Sequence, residues 1–204
     1  MYDEMDILRE VGSIAAAHGG IALSEILGRK ISLELPSVDV VACTEVCRRV
    51  TTGKLGVAVF TKITELEGEL AFILDEKSAF KLVDLSYKIM PDDKRSGVLT
   101  EMGMSFIKEV GNMIIGYYIS ALSMMLKSLI LPMIPTLISG PLEQIMDTIL
   151  SCHGDEEYAV LMEAVFEEPT ENIKGSFYLL LTPKAATNIQ EACKKTLRDL
   201  EEKN

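Results

Sequence analysis

Positive charge, histidine and long uninterrupted apolar runs are all scarce in this 204-residue chain. Lys and Arg total 20 against 31 Asp and Glu, a formal net charge of −11, which argues against nucleic acid or an anionic membrane as a partner. No basic cluster offers a seat for a phosphate-rich small substrate, so a protein partner is the default expectation. His18 and His153 are the only histidines, and Cys43, Cys47, Cys152 and Cys193 the only cysteines. The Cys43–Cys47 gap suits a metal, but no second pair completes a zinc pattern. The expectation is therefore no metal or cofactor of its own, and reduced, unligated thiols in a cytoplasmic protein. The first residues, Met1-Tyr2-Asp3-Glu4-Met5-Asp6, are acidic where a signal peptide would be basic.

The longest apolar stretches fall short of the roughly 18 to 20 residues that cross a bilayer. Val110–Met125 is uncharged but contains Asn112, and Ser128–Leu142 is interrupted by Pro132 and Pro135. They read as a buried core helix followed by a buried strand, not as a membrane span. With 48% hydrophobic and 25% charged residues, the composition is that of a folded soluble protein able to bury a substantial core.

Hydrophobic periodicity places a helix over residues 3–27, where Ile7, Val11, Ile14, Ala15, Ile21, Ala22, Ile26 and Leu27 recur at helical spacing and Gly28 suits a left-handed cap. Extended runs follow at 31–35 and 37–42, then a hairpin from 55–62 and 67–74. A second helix runs from Asp75 to about Ile89, and Met90–Gly97 is the clearest linker. The programme then restarts: a helix over 100–127, extended segments over 128–138, a short helix over 140–150 with Pro141 in its first turn, strands at 157–167 and 174–182, and a last helix over 184–202.

The restart is a repeat. Displacing the first helix by 99 positions sets Glu10 on Glu109, Val11 on Val110, Gly12 on Gly111, Ala22-Leu23-Ser24 on Ala121-Leu122-Ser123, and Pro36 on Pro135. Later, Gly68–Leu74 answers Gly175–Leu181. Two repeats, about 1–97 and 98–204, most simply share one sheet. The expected fold is a single internally duplicated, pseudo-two-fold α/β domain with a largely antiparallel sheet and two long helices.

Each long helix carries a polar stripe. Ser105, Glu109 and Asn112 stand at i, i+4 and i+7 and share a face, extended by Gly116, with Phe106, Ile107, Val110, Ile114, Tyr118, Ala121 and Met125 opposite. One carboxylate and one carboxamide, without histidine, lysine or a metal cluster, do not make a self-sufficient hydrolase. They suit a task in which the electrophile and metal belong to a partner and the protein positions a water. An exposed polar stripe on an otherwise buried helix would look the same, but an unused stripe has little reason to recur with a matching distal proline. The first copy is incomplete: Asp6, Glu10 and Pro36 are in place, but Ser13 stands where the second has Asn112. A hydroxyl neither reaches as far as a carboxamide nor offers its donor–acceptor pair.

At these residues the chain resembles the CheC/CheX/FliY phosphatases of chemotaxis, whose motif is Asp or Ser, three residues, Glu, two residues, Asn, twenty-two residues, Pro. Ser105, Glu109, Asn112 and Pro135 match it in full, and Ile21-Ala22-Leu23-Ser24 also looks like the family. The two copies are most similar to the CheC type. The resemblance implies hydrolysis of the aspartyl phosphate of a CheY-type response regulator, whose receiver domain carries the Mg²⁺. It assigns Asn112 to orienting the attacking water and Glu109 to pairing with the receiver's lysine, with Ser105 and Pro135 supporting the motif. The site of Asp6, Glu10, Ser13 and Pro36 is expected to be inactive or nearly so. The resemblance further suggests that the 142–150 helix docks a receptor deamidase, CheD, through Leu142, Ile145, Met146, Ile149 and Leu150; packing of that face on its own sheet is the alternative. A non-catalytic adaptor binding CheD or a receiver is the alternative to the enzyme. His18 reads as structural or surface, and Cys152-His153 as incidental.

Overall fold

The computed structural model describes residues 4–34, 37–49, 53–89, 100–154 and 156–201. Its elements run α1 (Glu4–Leu27), β1 (Ser32–Leu33), β2 (Ser37–Ala42), α2 (Cys43–Arg49), β3 (Leu55–Ile63), β4 (Gly68–Asp75) and α3 (Glu76–Ile89). They continue with α4 (Glu101–Leu126), β5 (Thr136–Pro141), α5 (Leu142–Ser151), β6 (Tyr158–Glu168), β7 (Ile173–Leu181) and α6 (Pro183–Glu201). The Met90–Gly97 linker and Pro36 lie outside the described residues.

One sheet takes strands from both halves of the sequence. Its order is β1–β6–β7–β4–β3–β5, with β2 pairing a second stretch of β6, and every strand pairing is antiparallel. The halves are interleaved: β2 closes the later hairpin by pairing with β6, and β5 closes the earlier hairpin by pairing with β3. At the centre Gly68 faces Leu181 and Gly175 faces Leu74, two versions of one pairing, while Ala71 faces Tyr178. The offset that carries Gly68 to Gly175 also carries Ala71 to Tyr178, so a pseudo-two-fold axis passes through that pair. Both glycines are needed there, since a Cβ on Gly68 would lie 2.5 Å from the Leu180 carbonyl oxygen, and one on Gly175 2.6 Å from that of Ile73.

Helices cover both faces. On one, α1, α3, α4 and α6 bury a large core in which Phe72, Phe166 and Phe177 form a ring cluster touched by Tyr118. On the other, α2 and α5 cover a smaller core around Val46, Phe60, Leu142, Ile145, Met146 and Ile149. The fully buried Ile107, Ile114, Ile115 and Leu122 of α4 each gain about 2 kcal/mol by leaving water. That anchors the helix along its inner face.

Two expectations need correction, and one element, the helix Cys43–Arg49, is new; the 99-residue offset sets its Cys43 on Leu142 at the start of α5. Pro141 ends β5 and precedes α5 instead of occupying its first turn. The Ser128–Leu142 run is not a buried strand. Leu129, Leu131, Met133 and Ile134 are exposed, and regular pairing starts only at Thr136.

Candidate functional site

Helix α4 is well delimited. Thr100 caps it, its hydroxyl accepting from the Gly103 amide at 3.1 Å, and Lys127 ends it in the left-handed region at φ 49°. At the two-fold-related end of α1 the left-handed residue is Gly28, at φ 59°. Close helix–sheet contact requires the glycine shared by both copies of the motif. A Cβ on Gly111 would sit 2.6 Å from Val59 Cβ, and Gly12 is likewise buried. Gly116 differs: a Cβ there would meet nothing within 4 Å, so the surface beside the stripe is open.

Ser105, Glu109 and Asn112 are all exposed on the outer face of α4, and none has a hydrogen-bond or ion-pair partner among the described residues. The carboxylate and carboxamide are thus presented to solvent from a helix locked beneath. Pro135 is half-buried and directly precedes β5. In the first copy Asp6 and Glu10 are exposed and Ser13 is half-buried. Arg9, on the position of Lys108, holds Asp6 in an ion pair of 2.8 Å, a contact that Ser105 cannot make in the second copy. The packed helices bring both stripes to the same face of the sheet; the Cβ position of Gly19 in α1 lies 3.3 Å from Ile114 in α4.

The serines of the repeated Ala-Leu-Ser have a visible task. Ser24 donates to the Arg29 carbonyl at 2.5 Å, and the Ser123 hydroxyl accepts from the Ile130 amide at 3.2 Å. Each ties the chain leaving its helix back to the last turn.

The apolar face proposed for deamidase docking is turned inward. Leu142, Ile145, Met146 and Ile149 are buried on the sheet, leaving Gln144, Asp147, Thr148 and Ser151 outside. Cys43 and Cys47 lie on α2. Burial, with a hydrogen bond and negative charge from Asp147, pushes the Cys47 thiol up to about 12, and its Sγ is 2.8 Å from Asp147 Oδ1 on α5. Burial, then the Glu156 charge, also raises Cys43. Thiols so shifted stay protonated at neutral pH and are poor nucleophiles or metal ligands. Among the described residues no group of three or more His, Cys, Asp or Glu could hold a metal ion, and no helix is long and apolar enough to cross a membrane.

Two features escaped the sequence reading. His153 is not incidental: its Nδ1 lies 2.6 Å from Glu69 Oε2, with both side chains almost wholly buried beneath α5 and Nε2 left without a partner. A glutamate at the head of the apolar run Leu70–Leu74 in β4 was the available signal. The second is the exposed apolar segment after α4, hidden because its composition reads as core.

The architecture defines a class: the duplicated, antiparallel-sheet fold seen in FliY and FliM. The structure of Thermotoga maritima FliY matches with a TM-score of 0.76 at 24% identity, over 96% of this chain and 98% of that one. The FliM middle domain from H. pylori follows at TM-score 0.64 and 10% identity, over 94% and 99%. A chain of the CheX–CheY–BeF3–Mg²⁺ complex from Borrelia burgdorferi matches at TM-score 0.53 and 14% identity, over 85% and 96%. In sequence, the chain is 29% identical over 142 residues to the CheY-P phosphatase CheC of Bacillus subtilis (strain 168), covering 65% of this chain and 65% of that relative, just under two thirds of its length. No protein-family model matches. The resemblance to the CheC/CheX/FliY family therefore holds in sequence as well as in fold.

Proposed function

We propose that this protein hydrolyses the aspartyl phosphate of a CheY-type response regulator, through one working site at Glu109 and Asn112. The observation that carries the reading is the presentation of these two side chains: exposed, unpaired among the described residues, and one helical turn apart on a buried-anchored helix. Similarity to a CheY-P phosphatase supports the same substrate class.

In this mechanism Glu109 pairs with the receiver's lysine and sets the orientation of α4. The Asn112 carboxamide holds a water in line with the phosphorus. Water oxygen bonds to phosphorus as the bond to the aspartate oxygen breaks, releasing inorganic phosphate and a free carboxylate. The Mg²⁺ of the receiver neutralises the phosphoryl oxygens, so this chain supplies alignment rather than covalent chemistry. Each tenfold acceleration requires about 1.4 kcal/mol, within reach of one well-held amide–water hydrogen bond. Ser13 cannot hold that water from the position that Asn112 occupies, so α1 contributes little turnover.

Phosphate release from a phosphorylated receiver tests the proposal: faster decay with this protein is expected, and unchanged decay at saturating protein would sink it. A second reading, a non-catalytic adaptor, is favoured by the fold shared with the FliM middle domain; it predicts receiver binding with unchanged decay. For CheD, α5 offers only its polar outer side.

A further inference from the structure

The exposed apolar segment that follows α4 is held in place. The Met133 amide donates to the Lys62 carbonyl at 3.0 Å, Thr61 Oγ1 donates to the Met133 carbonyl at 2.8 Å, and Pro132 bridges Ile63. With the Ser123–Ile130 tie, this fixes residues 130–133 along the last residues of β3, beyond its pairing with β5. The side chains left outside are large: Leu129 is 74% exposed, Leu131 53%, Met133 54% and Ile134 88%, beside Met124 at 64% on the last turn of α4. A hydrogen-bonded backbone that presents contiguous apolar side chains to water marks an interaction surface.

The duplication supplies an internal control. At the equivalent positions of the first half, Met124 becomes Glu25, Leu129 becomes Lys30, Leu131 becomes Ser32 and Met133 becomes Glu34, and all four are exposed. These four positions are thus polar or charged in one half and apolar in the other, whereas Ile134, which falls on Leu35, is apolar in both. The apolar set accompanies the complete motif, and the charged set accompanies the motif that lacks its carboxamide.

The strip is also continuous with the site. From Glu109, the exposed Met113, Tyr117, Ser120 and Met124 follow at i+4, i+8, i+11 and i+15, one stripe of the helix. Met124 is twelve residues beyond Asn112, about 18 Å along the axis at 1.5 Å per residue. A domain of about 100 residues has a radius of gyration of about 13 Å, so a partner seated on Asn112 is wide enough to reach the strip.

We propose that the strip of Met124, Leu129, Leu131 and Met133 is the apolar half of the receiver-docking surface and selects the second half of the molecule as the docking side. The proposal rests on the phosphatase reading for the identity of its occupant. It assigns the receiver an apolar patch beside its phosphorylation pocket. Methionine and leucine provide adaptable contact at the flank, while Glu109 and Asn112 provide register and chemistry.

The test exchanges the strip for the residues that the first half carries: Met124→Glu, Leu129→Lys, Leu131→Ser and Met133→Glu together. The fold already accommodates these side chains at the related positions, and an unchanged melting midpoint verifies that it still does. Titration with a CheY-type receiver loaded with BeF3 and Mg²⁺ should show affinity reduced at least about tenfold, as expected for loss of several apolar contacts together. KM for the phosphorylated receiver should rise in step while kcat stays within about twofold, the split expected when uniform binding is removed. Unchanged affinity in the exchanged protein, with the wild type binding and hydrolysing normally, overturns the strip but leaves the phosphatase reading standing. Loss of self-association by light scattering with unchanged receiver affinity also overturns it and gives the strip to a second copy of this chain. A wild type that neither binds nor hydrolyses overturns the phosphatase reading and the proposal with it.

Discussion

Helices α1 and α4 occupy equivalent places on one face of the same sheet, yet their outer surfaces have diverged in opposite directions. Around α1 the motif's Asp6 is paired with Arg9, and Glu25, Lys30 and Glu34 are exposed, although Ile14 and Ile21 also face solvent. Around α4 the positions matching those three, Met124, Leu129 and Met133, are apolar, and Glu109 and Asn112 are unpaired among the described residues. The inner surfaces have not diverged in this way, because packing constrains them; Gly12 and Gly111 are both retained and both buried. A duplicated fold can keep two copies of its scaffold while its outer surfaces diverge.

Several experiments would break or sharpen that contrast. The largest effect is expected at the pair outside the repeat. His153→Ala leaves Glu69 buried without its partner and should cost about 3 to 5 kcal/mol in chemical denaturation. Replacing both residues by leucine should recover most of the loss, and a double variant as unstable as the single one would show that the pair is not the cause. Next, Asn112→Ala should lower phosphatase turnover about a hundredfold or more, whereas Ser13→Ala leaves it within about twofold. The reverse result would assign the working site to α1. Ser13→Asn on the Asn112→Ala background should restore measurable turnover if the missing carboxamide is the main defect of the first copy.

Smaller effects separate the two kinds of glycine and the two helix ends. Gly111→Ala drives a Cβ into Val59 and should destabilise by about 1 to 3 kcal/mol, while Gly116→Ala, which meets only open space, should stabilise by about 0.5 to 1 kcal/mol. Lys127→Gly, copying Gly28 into the left-handed position, should raise stability by about 1 kcal/mol. Acid supplies the mildest test. Burial raises the Glu168 carboxyl, but hydrogen bonds from Glu171 and Thr170 and the charge of Arg29 outweigh it and hold the pKa below its usual value. A depressed pKa adds stability above the unfolded-state value and loses it as pH falls through the folded one, so Glu168→Gln should flatten the acid limb of the stability profile. An unaltered limb would place the acid sensitivity elsewhere.

Much of this architecture was legible because the chain states it twice. The motif stripe, both long helices and both hairpins followed from periodicity and from two offsets, 99 for the helices and 107 for the hairpin strands, and the observed β2 and β5 obey the first. What failed did so for physical reasons. Cys43–Arg49 has only seven residues, too few for periodicity to reveal a helix, and it packs against α5. Leu129–Ile134 has the composition of a core segment, and composition cannot distinguish apolar residues that face the protein from those that face a partner. The Glu69–His153 contact joins residues 84 positions apart, beyond any local pattern. For α5 the amphipathic face was visible, but its direction was not; only the sheet beneath it showed that the face was already occupied.

The crossing of strands between the halves has a consequence for how such a chain can be cut or built. Each hairpin is closed on its outer side by a strand from the opposite half, like two hands clasped at the fingers. Severed between α3 and α4, neither fragment would complete its own sheet, and each would present bare hydrogen-bonding edges matched to the other. The fragments should be individually sticky and jointly sound. A shorter ancestor with one copy of the unit would have had to borrow that strand from a second molecule, and fusion of the two genes would have made the loan permanent.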